Sequence, residues 1–304
     1  MTTTQIPTPD APPVAAADDA GGPQWRAELG RRHGVLLALP FILLATVLVV
    51  YPFIRLVQIA FGGSDPAGEL QAFFDNRANL VALRTTVIVS LIVTVISLAL
   101  GSMVAWSLRT TESRLMRLFL LAAVTLPFWM GVVMKQYAWA VLLRSNGIVN
   151  EALASLGLID EPLDLLYTRT AVVIGMVYQM LPYAVLPAYA AFSSIDLTLV
   201  SAAESLGASR VRALASVVVP LAMPGLFATA TVVYVISTGF YLTPVILGGM
   251  STPFAATLIH QNIFVFYNLE GAALLSVALI LAAVAVVLLG LALVGTRRLR
   301  SVLG

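Results

Sequence analysis

The sequence predicts an all-α, polytopic membrane protein with six transmembrane helices and a cytoplasmic helix-bend-helix loop. Of its 304 residues 60% are hydrophobic and 11% charged, where a soluble domain carries roughly a quarter charged. Six apolar stretches are each long enough to cross a bilayer. One connection, Ser193 to Pro220, is 28 residues long and carries helix signals of its own.

The first 34 residues, rich in Ala, Pro, Thr and Asp, lack hydrophobic periodicity. They bring too little apolar surface to offset the entropy of ordering, and a disordered cytoplasmic tail is expected over 1–34. Val35 to Ile54 then gives 20 uncharged residues, the length a helix rising about 1.5 Å per residue needs to cross a core of about 30 Å. It is too long for a cleaved signal core, and no small-residue cleavage pattern follows. Further spans are expected at Leu83–Leu108, Leu118–Leu143, Ala171–Phe192, Leu221–Leu247 and Gly271–Val294. The transmembrane domain is thus drawn over 35–295, and 296–304 as a short basic cytoplasmic tail.

Six spans put both termini on one side. The tail, second loop, fourth loop and C-terminus hold eleven arginines: 26, 31, 32, 109, 114, 117, 210, 212, 297, 298 and 300. The other loops and their edges hold Arg77, Arg84, Arg144 and Arg169, so the positive-inside rule places both termini in the cytoplasm. Arg55 and Lys135 fall late in spans that run outward and are expected to snorkel to the outer interface. The outer loops carry Asp65, Glu69, Asp75, Glu151, Asp160, Glu161, Asp164 and Glu270, an acidic face that either meets a basic partner or is simply solvated.

The same composition excludes several functions. Net charge is +2 and dispersed, which argues against nucleic acid. There is no cysteine, and His33 and His260 lie at opposite ends of the chain, which removes disulfides, thiolate metal sites and Cys/His nucleophiles. The only lysine, Lys135, follows Met134 rather than glycine, so no phosphate-binding G-x-x-x-x-G-K-[ST] loop exists. No Asp or Glu falls inside the six cores, which leaves a proton-driven carrier without its usual intramembrane group.

Polar residues within the spans fall on faces. Thr86, Ser90, Thr94, Ser97 and Gly101 recur at helical intervals, a narrow small-residue face read as close helix packing. Thr231, Tyr234, Thr238 and Tyr241 share a face in the fifth span with Ser237 beside it, and Gln179 sits near the middle of the fourth. These five, Gln179 with the four of the fifth span, are candidates to line a solute path by hydroxyls, an amide and aromatic faces. An inter-helix packing seam explains them equally well. Pro127, Pro182, Pro187, Pro220, Pro224 and Pro244 suggest bent or broken helices around a cavity.

In the long connection, Asp196 can cap a short helix with Leu199, Ala202, Ala203 and Leu206 along one stripe. Gly207 can take the left-handed conformation that ends it. Ser209 can cap a second helix carrying Val211, Leu214, Ala215 and Val218, and Pro220 breaks the chain before the next span. Lipid-bound helices are usually lysine- or arginine-rich; this segment has only Arg210 and Arg212, with Glu204 among them. Docking to another protein fits better.

Ser201-Ala202-Ala203-Glu204-Ser205-Leu206-Gly207, nine residues, then Val217-Val218-Val219-Pro220 resembles the E-A-A-x-x-x-G-x9-I-x-L-P signature of binding-protein-dependent ABC importer permeases of the type I, MetI-like kind. The resemblance implies that Ser201, Ala202, Ala203, Glu204, Leu206, Gly207 and Pro220 belong to a loop that docks into a groove on a cytoplasmic ATPase. Ser201 replaces the family's Glu, and Glu204 lies one turn along. Across residues 80–290, Leu126-Pro127-Phe128-Trp129, Tyr137-Ala138-Trp139, Gly147-Ile148-Val149-Asn150, Leu156-Gly157-Leu158-Ile159-Asp160, Leu166-Tyr167, Leu181-Pro182, Ile195-Asp196 and Thr243 to Gly249 resemble the spermidine/putrescine permease branch. That branch is also similar to permeases for other organic cations, amino-acid-like compounds, opines and phosphonates.

The expectation is a permease subunit of an ABC importer in a bacterial inner membrane, moving a small solute such as a polyamine and doing no bond chemistry. The resemblance implies a second, similar permease chain, cytoplasmic ATPase subunits that hold the ATP and magnesium, and an extracytoplasmic solute-binding protein. No cofactor, metal or catalytic residue is expected on this chain. Two rivals stand beside it: a secondary ion-coupled carrier, and a non-transporting membrane scaffold whose loop only recruits a partner.

Overall fold

A computed structural model describes residues 31–303 except Ser64, Met250 and Ser251. The described residues are helical, with no strand. Five helices are long and apolar enough to cross a membrane, and six if one bent pair counts as a single span. The chain divides into two units, residues 1–55 and 56–304. Of the expected tail, residues 1–30 lie outside the described residues, whereas 31–34 open helix α1, Arg31–Phe61. That helix carries Pro40 and Pro52 in its interior.

In the second unit a short helix, α2 (Pro66–Asp75), precedes the long α3 (Arg77–Thr110). Side-chain caps open both. Asp65 Oδ1 accepts from the Gly68 amide at 3.0 Å and Asn76 Oδ1 from the Ala78 amide at 3.0 Å, each satisfying one of the orphan donors of a helix start. Helix α7 (Arg169–Ser193) lies within two residues of the expected fourth span. Its partners at the centre of the unit are α3 and α10 (Val219–Thr238). The small-residue face of α3 is the contact surface: Thr86, Ser90, Ser97 and Gly101 are buried. A methyl group added at Gly101 would meet Ala184 Cβ at 2.6 Å. The packing expected from the spacing is what the helices do.

Apolar side chains complete two cores along this three-helix stack. One gathers Val89, Met176, Met180, Val233, Leu247 and Phe254. The other, nearer the long connection, gathers Leu108, Val185, Phe192, Val218 and Leu226. Thr86 Oγ1 also accepts a hydrogen bond at 2.8 Å from the amide of Ala255. It thereby caps a short helix that the sequence did not announce, α11 (Ala255–Phe264). Tyr267, at φ 53°, then turns the chain into α12 (Leu269–Leu303). The backbone expected to form a separate basic tail from 296 continues α12 to Leu303, and Gly304 lies outside the described residues.

Two spans depart from their expected form. The third is not one rod: α4 (Arg114–Trp129) and α5 (Val132–Leu142) are bent from each other by 106° at Met130-Gly131. Lys135 sits inside this bend and does not snorkel outward. It is 5% exposed, and its Nζ donates to the Pro127 carbonyl at 3.0 Å. The ammonium adds a second donor to a carbonyl that also accepts from the Met130 amide at 3.3 Å, and it opposes the negative end of the α4 dipole. The fifth span begins earlier and ends earlier than expected. Pro220 does not break it: α9 (Arg210–Ala213), a π turn at Leu214–Val218 and α10 run as one span from Arg210 to Thr238. The Val219 amide donates five residues back to Leu214, and this wide turn makes room for a proline that lacks the next donor. Beyond Gly239 the chain leaves the helix, and a second π turn at Pro244–Gly248 leads back toward α11.

Candidate functional site

The 193–220 connection folds into helix, bend and helix. Asp196 Oδ1 accepts from the Thr198 amide at 2.9 Å and opens α8 (Thr198–Ser205). The Thr198 amide, with help from its hydroxyl, holds the Asp196 carboxyl below the ordinary carboxylate range. At the other end the Gly207 amide donates to the Glu204 carbonyl at 2.9 Å and the Ala208 amide to the Ala203 carbonyl at 3.0 Å. This double closure needs a left-handed residue between the two donors' helix and the exit, and Gly207 has φ +90°. Ser209 Oγ then accepts from the Arg212 amide at 3.4 Å and caps α9.

One edge of this element is fixed to the bundle and the other is bare. Val200, Leu214 and Val218 pack with Ile195 and Phe192 against the core of α3, α7 and α10. No residue of α8 is fully buried. Leu199, Leu206 and Val211 stand 46%, 90% and 79% exposed. Ala203 is half-buried, and Ser201, Ala202 and Gly207 are exposed. The stripe expected on the second helix is split. Val218 is buried and Leu214 half-buried while Val211 and Ala215 face out, because the π turn resets the register partway along it. Arg210 is paired across the bend with Glu204, Nε to Oε1 3.5 Å, the two side chains open to solvent at 92% and 38% respectively. Such an exposed pair adds little stability.

The candidate path residues scatter. Gln179 and Tyr234 are buried in the helix stack. The hydroxyls of Thr231 and Thr238 donate to the carbonyls of Phe227 and Tyr234 at 2.9 and 2.8 Å, and both residues border an apolar cavity of about 360 Å³ against α12. Tyr241 stacks on His260 at 4.8 Å between ring centroids. Two residues missed in the sequence join this interior. Gln136 and Thr243 are 0% exposed and their side-chain polar atoms have no hydrogen-bond partner, as is also true of Gln179 Oε1 and Ser237 Oγ. Gln136 and Thr243 both abut Gly175, where an added methyl would meet Gln136 Oε1 at 2.8 Å and Thr243 Cγ2 at 3.0 Å. A buried polar group left unpaired costs about 1–3 kcal/mol, so these four side chains weigh against stability where they stand. The only advance signal for Gln136 was its place beside the single lysine of an apolar run.

The described residues thus form an all-helical bundle with helices of membrane-spanning length, bearing a two-helix element seated on it by one edge. The chain belongs to the family of binding-protein-dependent transport system inner membrane components, which matches residues 34–301. It is therefore a multi-pass inner-membrane permease of the ABC importer class. The spermidine/putrescine transport system permease protein PotB of Escherichia coli (strain K12) is 32% identical over 209 residues, 66% of this chain and 76% of that one. A putative 2-aminoethylphosphonate transport system permease protein of Salmonella typhi is 28% identical over 223 residues, 71% and 75% of the two chains. In fold, the chain is similar to a bacterial alginate ABC transporter solved with a pentasaccharide-bound periplasmic protein. There the TM-score is 0.69 at 20% identity, over 88% of this chain and 96% of that one.

Proposed function

We propose that this permease carries a small organic cation of the polyamine kind. In this reading a periplasmic binding protein delivers the solute, a second permease chain of similar fold completes the path, and separate ATPase subunits hold ATP and magnesium. The observation that carries the coupling is the bare edge of α8. Among the described residues nothing covers its exposed apolar side chains, while its other edge is seated on the core through Val200, Leu214 and Val218. An ATPase groove would cover the first and push on the second. Because α9, the π turn and α10 are one continuous span, displacement of the bend passes directly into a central helix. Nucleotide binding then biases the bundle between two packings, one open to each side.

The relatives transport amines or an aminophosphonate, and the amine reading rests on the higher identity. Both termini and the α8 bend face the cytoplasm, as the arginine distribution requires. Ser201, Ala202, Ala203, Glu204, Leu206, Gly207 and Pro220 form the coupling element. Gln179, Thr231, Tyr234, Thr238 and Tyr241, joined by Gln136, Ser237 and Thr243, supply the groups that meet solute when the bundle opens.

The test acts on the bend. Gly207→Pro fixes φ near −65° where +90° is needed and deletes the donor to Glu204; Ala203→Arg puts a long charge on the docking stripe. Both variants are expected to insert in the membrane normally and to lose the ATPase on co-purification. An ATPase that stays bound to both would refute the coupling role. The ligands retained by the cognate binding protein, identified by mass spectrometry, test the amine reading separately.

A further inference from the structure

At the end of the bundle opposite the coupling element, a cavity of about 230 Å³ opens between α2, the start of α3, the end of α11 and the start of α12. Two carboxylates line it, Glu69 and Glu270, together with Asn79, Asn262 and the apolar Phe73 and Leu274. No lysine or arginine does. Glu69 Oε2 is shielded from solvent and accepts no hydrogen bond, an arrangement that costs free energy unless something positive or a proton donor arrives. Asn79 is 9% exposed and commits its Nδ2 to the Phe73 carbonyl at 3.2 Å, so its remaining polar atom is an acceptor.

Three helix starts meet here, and a helix start ordinarily favours an anion. One donor of each is already capped by a side chain. Asp65 caps α2, Asn76 caps α3, and Asn268 Oδ1 accepts from the Gly271 amide at 2.8 Å at the start of α12. What the cavity still offers is two negative charges and the Asn79 oxygen, beside the side-chain amides of Asn76, Asn262 and Asn268. Among the described residues no three acidic or histidine side chains converge as metal ligands. A primary ammonium, with three donors on an apolar stem, matches the acceptors while its methylenes rest on Phe73 and Leu274.

We infer that this cavity is a binding site for the ammonium end of a small alkylamine, a receiving position on the periplasmic face ahead of the passage through the bundle. The chemistry of the site stands on the cavity itself. Its place on the periplasmic face and its use in import rest on the function proposed above.

The experiment uses the full chain in nanodiscs, without binding protein or ATPase, and radiolabelled 1,4-diaminobutane in equilibrium dialysis. Saturable binding is expected at one site per chain. Glu69→Gln or Glu270→Gln, each of nearly unchanged shape, should weaken it by about tenfold or more, since each replaces an ammonium–carboxylate ion pair by a bond from the ammonium to a neutral amide. Glu151→Gln, an exposed acid elsewhere on the same face, should leave it unchanged, as should an excess of 1,4-butanediol. Binding no greater than that of empty nanodiscs, both cavity variants binding like the original, or calcium displacing the amine at equal concentration would each overturn the site. If the assembled importer takes up no diamine although the isolated chain binds it, the amine-import reading falls and the cavity stands. Uptake without binding to the isolated chain removes the cavity alone.

Discussion

Gly101 is where two of the central helices touch. Ala184 Cβ occupies the place its own side chain would take, and the Ala184 carbonyl carbon and Val185 nitrogen lie 3.1 and 3.2 Å from it. Two of these three atoms are backbone, so no side-chain rotation makes room. Gly101→Leu should therefore force α3 and α7 apart, at a cost of about 1–3 kcal/mol for overpacking. The check is a lower temperature at which the detergent-solubilised protein loses monodispersity. This contact was legible in the sequence because five small residues at helical spacing have no other use against lipid. Lys135 was not legible. It lies eight residues beyond Pro127, about 12 Å along a straight helix at the usual rise, farther than a lysine reaches. Only the 106° bend brings the ammonium to the Pro127 carbonyl; Pro127 announced a bent or broken helix here, but not a bend of this size or the lysine contact it makes.

At the scale of elements, the coupling segment was readable because its signals are local. Asp196, Gly207 and Ser209 each act on a backbone group within five residues, and all three do what their chemistry suggests. Pro220 misled because a proline's effect depends on its surroundings. A π turn just before it supplies the space that an α-helix lacks, and such a turn has no composition of its own. Helices α2 and α11 were missed for a related reason, since each is ten residues long, too short to show in hydropathy. The Asp196 cap makes a prediction in pH. Its carboxyl is held below the ordinary value by the Thr198 amide. The folded form therefore favours the ionised acid. The cap's contribution is complete above the unfolded value of 3.8 and is lost as pH falls through the lower folded one. Asp196→Ala should accordingly raise amide exchange in the first turn of α8 severalfold at neutral pH, read by mass spectrometry. Exchange in the original chain should approach that of the variant, after correction for intrinsic rates, only under strongly acidic conditions. Equal exchange at neutral pH would mean that the cap does not hold the helix.

The chain as a whole is asymmetric in the distribution of its charge. Eleven arginines fall in the N-terminal segment, the second and fourth loops and the C-terminal segment, against four in and beside the other three loops, and eight carboxylates lie in those three loops. The positive-inside rule turns this asymmetry into an orientation, and the proposed functions of both ends depend on it. An ATPase can grip α8 only from the cytoplasm, and a delivered amine can enter the Glu69–Glu270 cavity only from the periplasm. The absence of cysteine in the chain makes the orientation directly measurable. Ser205 ends α8 and Ser155 ends α6 (Ile148–Ser155), and both are exposed at opposite ends of the bundle. In spheroplasts, a membrane-impermeant maleimide should label Ser155→Cys to near completion and Ser205→Cys only after lysis. The two serines have similar exposure and neither lies in a core, so unequal labelling reports sidedness and not folding. The reverse pattern would place α8 outside the cell, where no nucleotide-driven partner could reach it, and would remove the coupling role and the receiving cavity together.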